Sequence, residues 1–246
     1  MKKYFSVLFL LLSIGCIAQS SKWFISFSAA PVVGGPAMSI KSQMKAQGFG
    51  DQSETTLPIF GDGTTNYPRG SAIALLARGA KSINERKSLY FIAGIAETAH
   101  VEGFKNEGWS NGIFGLFAGS YGQSVSVKYT TYQATAGYMY PISNSRSRFG
   151  FGPSLYIFSY STFNEYLKTG KHTAMVPGAT FTLKVPFGKE RRLFGIDFIL
   201  DGNLALPVKM KSDTNEGLRH GSVNMCSASA GLAFSFRNNK QSSSTR

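Results

Sequence analysis

The feature that most constrains this chain is a period-two alternation that sets bulky apolar residues against small or polar ones. In an extended strand, successive side chains point to opposite faces. Phe194, Ile196, Phe198, Leu200, Leu204 and Leu206 fall on one face, and Gly195, Asp197, Asp201, Asn203 and Ala205, with Ile199 among them, on the other. Ala179, Phe181, Leu183, Val185 and Phe187 alternate with Thr180, Thr182 and Lys184. Ala228, Ala230, Leu232, Phe234 and Phe236 alternate with Ser227, Ser229, Gly231, Ala233 and Ser235. Phe149, Phe151, Leu155 and Ile157 oppose Gly150, Gly152, Ser154 and Tyr156. Helices show no such period, so the chain reads as all-β.

Eight strands are expected, over 22–29, 70–80, 88–100, 125–140, 147–160, 173–186, 192–208 and 222–237. Polar turns centred on Asn84–Lys87, Ser143–Arg146 and Gly188–Arg191 join alternate pairs. The other connections, 30–69, 101–124, 161–172 and 209–221, are longer. Strict short–long alternation is what an antiparallel up-and-down meander produces when every short turn falls on one rim. One helix is expected in the first long connection, over 36–48. Pro36 suits a first turn and Gly48 a stop, and Ala37, Ile40 and Met44 share a face. It is read as a surface helix packed on loops, with plugging or covering the barrel as the alternatives.

An eight-stranded barrel has an interior just wide enough for side chains to fill. The Gly, Ser, Thr and Ala face suits that interior, so the bulky face is expected outside, where only lipid tolerates it. Leu76, Phe91 and Ile95 take no clean side under this pattern. The rival is a soluble exported barrel with an apolar inside, which also has eight strands. Charges on the small face need partners, because burying one alone costs several kcal/mol. Lys184 and Asp197 lie on adjacent strands, and Arg78, Asp201 and Glu97 are further candidates for a polar network in the lumen. An aromatic girdle is expected at the short-turn rim, from Trp23, Tyr138, Tyr140 and Phe187.

Residues 1–18 read as a secretory signal, with Lys2 and Lys3, an apolar stretch from Val7 to Leu12, and small residues before Gln19. Lipoprotein processing at Cys16 is the competing reading, and Ser13 disfavours it. The barrel is then expected over 19–237, followed by a polar tail, 238–246. Lys and Arg number 26 against 13 Asp and Glu, for a formal charge of +13. The basic residues gather at turns, Arg86-Lys87, Arg146–Arg148 and Lys189–Arg192, without interleaved aromatics, so solvated turns rather than nucleic-acid binding are expected.

The segment Ser229–Phe236 resembles the assembly signal of bacterial outer-membrane barrels. Ser229, Gly231, Phe234 and Phe236 match its polar residue, Gly and two aromatic positions in turn. The chain departs from many relatives in carrying a polar tail after the last aromatic. As a whole the chain is similar to small eight-stranded outer-membrane barrels of the OmpX and OmpA kind. Its Cys16-Ile17-Ala18-Gln19 junction and early Gly-Pro plus helix look like barrel proteins of Bacteroidetes. The resemblance implies a transmembrane barrel in the cell outer membrane, with lipid and the barrel-assembly machinery as partners and a monomeric state. Such families include adhesion and resistance factors, plain structural barrels and some lipid-modifying enzymes.

No phosphate loop, paired-Cys metal motif or nucleophile elbow is present, and no cofactor is expected. His100, His172 and His220 fall near the long-loop rim. With Ser161, Ser222, Glu97 or Glu165 they make a lipid-acyl enzyme the second hypothesis. Metal binding by the three histidines is another possibility. Solvation of loop ends is the expectation. The resulting reading is non-enzymatic: a structural or surface-interaction barrel with a side-chain-filled lumen, a small-solute pore being the third hypothesis.

Overall fold

The computed structural model describes residues 23–50, 68, 70–84, 86–110, 119–142, 146–164, 167–187, 194–210 and 221–238. The strands are β1 (Trp23–Gly34), β2 (Ala72–Asn84), β3 (Lys87–Ser110), β4 (Gly119–Pro141), β5 (Arg148–Asn164), β6 (Leu167–Phe187), β7 (Phe194–Ala205), β8 (Val208–Lys209), β9 (Ser222–Val223) and β10 (Ser227–Asn238), with one helix, α1 (Gly35–Ala46). Eight of them close a barrel in the order β1-β10-β7-β6-β5-β4-β3-β2, and β8 and β9 form a separate two-stranded ribbon. Every barrel pairing is antiparallel, and β10 closes on β1 from Gly34↔Ser227 to Trp23↔Asn238. This is the up-and-down eight-stranded barrel that the alternation predicts. Closure removes the open sheet edges that would otherwise expose unpaired backbone groups.

The bulky face is outside. Phe194, Ile196, Leu200, Leu204, Phe181, Phe234, Leu232 and Phe151 are exposed, while Asp197, Asp201, Asn203, Thr180, Thr182 and Ser235 are buried. Each outward residue has outward neighbours across the ladder, so the apolar side chains form a continuous band. In β3 the inward set runs Tyr90 and Ile92, then Glu97, Ala99 and Val101, and a register shift lies between Ile95 and Glu97. The extra residue of that bulge inverts the parity of the strand. Phe91 and Ile95 therefore face out, and inward Glu97 follows without breaking the apolar band. Leu76 faces in and is 3% exposed. The pattern is untidy in β3 because the alternation changes phase within the strand, whereas β2 alternates without a break and Leu76 is a bulky residue on its lumen side.

β1 and β2 run on to Gly34 and Asn84 rather than ending at 29 and 80, and three further boundaries differ from the sequence expectation. First, β3 to β6 are 24, 23, 17 and 21 residues long, well beyond the roughly 9–11 that a tilted strand needs to cross a bilayer. Much of the expected loops 101–124 and 161–172 is therefore strand. Outward residues there, such as Glu102, Ser161 and Lys171, are polar, so these segments lack the apolar set that marks a strand. Second, the expected last strand is split. β9 ends at Val223, and β10 starts at Ser227 after a turn in which Asn224 Oδ1 accepts the Cys226 N–H at 2.9 Å. Third, the seventh strand stops at Ala205, and the chain passes through Leu206 and Pro207 into β8.

Two of the short turns carry their own local bonds. Asn84 pairs with Lys87, and Asn84 Oδ1 accepts the Arg86 N–H at 3.0 Å. Ile142 N–H donates to Ser147 O at 2.9 Å beneath the Pro141↔Arg148 pair. Residues 1–22, which hold the expected export signal, and 239–246 of the polar tail lie outside the described residues.

Candidate functional site

The lumen divides into a polar lower half and an apolar upper chamber. In the lower half, two ion pairs cross between strands. Arg78 on β2 pairs with Asp201 on β7, and both side chains are almost fully buried. Lys184 Nζ on β6 lies 3.0 Å from Asp197 Oδ2 on β7. Each pair is built into hydrogen bonds. Thr182 Oγ1 donates to Asp201 Oδ1 at 2.6 Å, and Arg78 Nη1 donates to Ser28 Oγ at 2.6 Å. Ser235 Oγ donates to Asp197. Lys184 Nζ also sits 3.3 Å from the Phe24 ring centroid, a cation–π contact. Arg78, Lys184, Asp197 and Asp201 thus fall into two clusters, Arg78 with Asp201 and Lys184 with Asp197. Such pairs hold only when hydrogen bonds satisfy the remaining donors and acceptors.

Above them is a hydroxyl and amide layer. Thr180 Oγ1 lies 2.7 Å from both Ser154 Oγ and Tyr156 Oη, and Gln133 Nε2 donates to it at 2.7 Å. Tyr156 Oη also donates to Asn203 Oδ1 at 3.1 Å. Facing this wall, Phe24, Ala74, Leu76, Ala80, Tyr90, Ile92 and Met139 form an apolar cluster inside the barrel. This corrects the expectation that only small residues fit the lumen. Some large side chains enter where a nearby strand carries glycine. A Cβ on Gly150 would sit 3.2 Å from Met139 Cε and 3.3 Å from the Tyr90 ring, and one on Gly178 would sit 2.9 Å from Tyr156 Cε2. Glycine on one strand therefore makes room for a large side chain from a strand nearby.

The upper chamber is closed by α1. Gly34 (φ 80°) and Gly35 (φ 65°) turn the chain inward at the top of β1, a left-handed conformation that favours glycine. Ile40 and Met44 are fully buried against the inward faces of β3 to β6, among Val101, Val127, Tyr129 and Phe158. The ribbon adds Val208 and Val223. The helix therefore covers the mouth of the lumen, which corrects the reading of a surface helix packed on loops. It runs from Gly35 to Ala46 rather than over 36–48, and Gly48 follows it at φ 85°. Polar bonds pin it on both sides. Gln43 Nε2 donates to Ser222 O at 3.0 Å, Asn224 N–H donates to Ser39 Oγ at 3.1 Å, and Lys41 Nζ donates to Gly70 O.

Glu97 holds the start of the helix. Its Oε1 accepts the Ala37 N–H at 3.0 Å and the Tyr129 hydroxyl. The first turn of a helix has unsatisfied N–H groups and the positive end of the helix dipole, so a carboxylate is stabilised there. Sequence reasoning placed Glu97 with Arg78 and Asp201, but it serves the helix, 60 residues upstream. The available signal was the lack of any acidic or capping residue at the helix N-terminus, which leaves its donors to a distant acceptor.

The remaining candidates take these positions. Ser229 and Gly231 face inward on β10, and Phe234 and Phe236 face outward. A Cβ on Gly231 would lie 2.8 Å from Ala30 Cβ, so glycine allows β10 to approach β1 closely at the closing seam. Trp23, Tyr138, Tyr140 and Phe187 all lie at the short-turn rim on the outward face. Tyr140 stacks on Phe151 with centroids 6.1 Å apart. His100 faces outward with Nε2 3.4 Å from Glu102. Ser161 is two strands away through Lys128, about 10 Å at ordinary strand spacing. His172 is on the inward face against Tyr160, with centroids 5.3 Å apart, whereas Ser161 faces out. Ser222 lies beside α1, and His220 and Glu165 lie outside the described residues. Among the described residues, no group of three His, Cys, Asp or Glu could hold a metal ion. No helix among them is long and apolar enough to cross a membrane, which says nothing about crossing by strands.

No family model matches the sequence, and no curated protein matches it. Two crystal structures of Ail, the attachment invasion locus protein of Yersinia pestis, are similar to the chain. One is 10% identical and covers 88% of this chain and 99% of that chain, with a TM-score of 0.39. The other, in complex with the heparin analogue sucrose octasulfate, has the same identity and coverage and a TM-score of 0.38.

Proposed function

We propose that the chain is an outer-membrane β-barrel with a non-enzymatic, structural or surface-interaction role, its long-loop end outward and its lumen filled. One observation carries this reading: a continuous outward band of Phe, Leu and Ile surrounds an interior of ion pairs and hydroxyls. In water that arrangement would expose the apolar residues and bury the charges, both unfavourable. In a bilayer the band is solvated by lipid, and strand closure satisfies the backbone. The cover formed by α1 and the crossed ion pairs favour a closed lumen over a pore. The long β3 to β6 strands carry polar outward residues beyond the band and supply the contact surface. On this reading residues 1–18 are the export signal, the barrel-assembly machinery recognises Ser229, Gly231, Phe234 and Phe236, and the folded protein is a monomer bathed in outer-membrane lipid.

Fractionation with heat-modifiable gel mobility tests it. The expected result is extraction only with detergent, and a band that shifts on boiling. Recovery in the soluble fraction without detergent would overturn the reading. Planar-bilayer recording of the purified monomer is expected to stay at baseline, and steady conductance would refute the closed lumen.

A further inference from the structure

Lys81 and Lys87, at the first basic turn, take no part in the lumen ion pairs or the helical cover. Residues 81–87, 141–148 and 187–193 hold eight lysines and arginines against Glu85 and Glu190. Two of the cations stand in the aromatic row itself. Lys81 is exposed on the outward face of β2, in register with Trp23 on one side and Leu89 on the other, and Leu89 is opposite Tyr138. Lys87 Nζ rests 3.6 Å from the Tyr138 ring centroid. Lys81 and Lys87 are diagonal neighbours on adjacent strands, which puts their Cα atoms about 7–8 Å apart. Among the described residues neither has a carboxylate at ion-pair distance. Two lysine side chains converging from these positions would repel unless an anion lay between them.

The two ends of the barrel differ in where their cations start. At the long-loop end a hydroxyl residue separates the last apolar side chain from the first lysine, as in Tyr132, Thr130, Lys128 and in Met175, Thr173, Lys171. At the short-turn rim Lys87 is followed on the outward face of β3 by Leu89 and Phe91, with no hydroxyl residue between, and Lys81 stands between Trp23 and Leu89 across the ladder, with Gly79 next along β2. Long cationic side chains at such an edge keep their stems on apolar surface and place the charge at headgroup depth. The ligand chemistry there is a phosphate ester carried by an acyl chain.

We propose that Lys81 and Lys87, with Trp23 and Tyr138 as apolar walls, form a site for the phosphate of an anionic phospholipid in the leaflet at the short-turn rim. The site rests on the membrane-barrel reading above. An anionic headgroup is selected over a zwitterionic one because the latter's own ammonium faces the lysine pair.

The test is native mass spectrometry of the detergent-solubilised full-length barrel, titrated with phosphatidylglycerol and separately with phosphatidylcholine. Phosphatidylglycerol is expected to bind several-fold more tightly. Lys81→Gln/Lys87→Gln is expected to lose affinity about fivefold per cation removed, and Lys81→Arg/Lys87→Arg to retain it. Equal binding of the two lipids, or unchanged binding by the glutamine variant, would overturn the site. Each variant is first shown to fold by insertion into zwitterionic vesicles with a heat-modifiable band. If the wild type passes that check and the lipids bind equally, the membrane reading stands and the site alone falls. A wild type that fails to insert overturns both.

Discussion

Asp201→Asn tests whether the lumen is held by paired charges. Arg78 is 3% exposed and Asp201 1%, so the pair has almost no water to fall back on. Asparagine keeps the shape and can still accept from Thr182 through one oxygen, but it removes the counter-charge of Arg78. The guanidinium would keep neutral hydroxyl partners, Ser28 at 2.6 Å and Tyr90, and remain buried without a counter-charge. Breaking a buried pair in this way costs about 3–5 kcal/mol. At about 1.4 kcal/mol per tenfold, the equilibrium ratio of folded to unfolded protein should fall at least a hundredfold. Replacing both partners, as Arg78→Met/Asp201→Leu, removes two desolvation penalties and should recover most of the loss. The assay is reversible urea unfolding in vesicles, read by tryptophan fluorescence and by the heat-modifiable band. A single variant within about 1 kcal/mol of wild type would refute the argument, as would a double variant no better than the single.

Further predictions address the other parts of the molecule. Glu97→Ala removes the acceptor of the Ala37 N–H and the Tyr129 hydroxyl, and should cost about 2–4 kcal/mol. Hydrogen exchange is expected to rise over 35–46 while the barrel strands remain protected, and uniform protection would contradict the assigned helix anchor. Leu200→Arg places a charge near the middle of the outward band and should destabilise the barrel in vesicles by about 2–4 kcal/mol. A substitution neutral in that assay would mean that the face does not meet lipid. Gly150→Val forces a branched side chain against Met139 and the Tyr90 ring and should cost about 1–3 kcal/mol in the same unfolding assay. Pairing it with Met139→Ala should return part of that loss.

The sequence by itself determined the strand class, the barrel, its number of strands and which face is bulky. These follow from a local rule, since the period of two is a property of one extended segment and is visible wherever the apolar set is continuous, as in β7 or β10. It also brought out Lys184 with Asp197, because neighbouring strands in a meander are neighbours in sequence. Tertiary structure alone decided what crosses the lumen. Arg78 meets Asp201 from 123 residues away, and no local pattern sets that distance. It also decided the parity change at Ile95, because a bulge adds one residue to one strand of a pair and only the partner's register reveals it. The seat of α1 was hidden for a related reason. Ala37, Ile40 and Met44 mark an apolar face, but whether that face meets loops or a lumen depends on the inward residues of four other strands. The acceptor that starts the helix, Glu97, lies on β3, two strands round the barrel from the β1 end that leads into the helix.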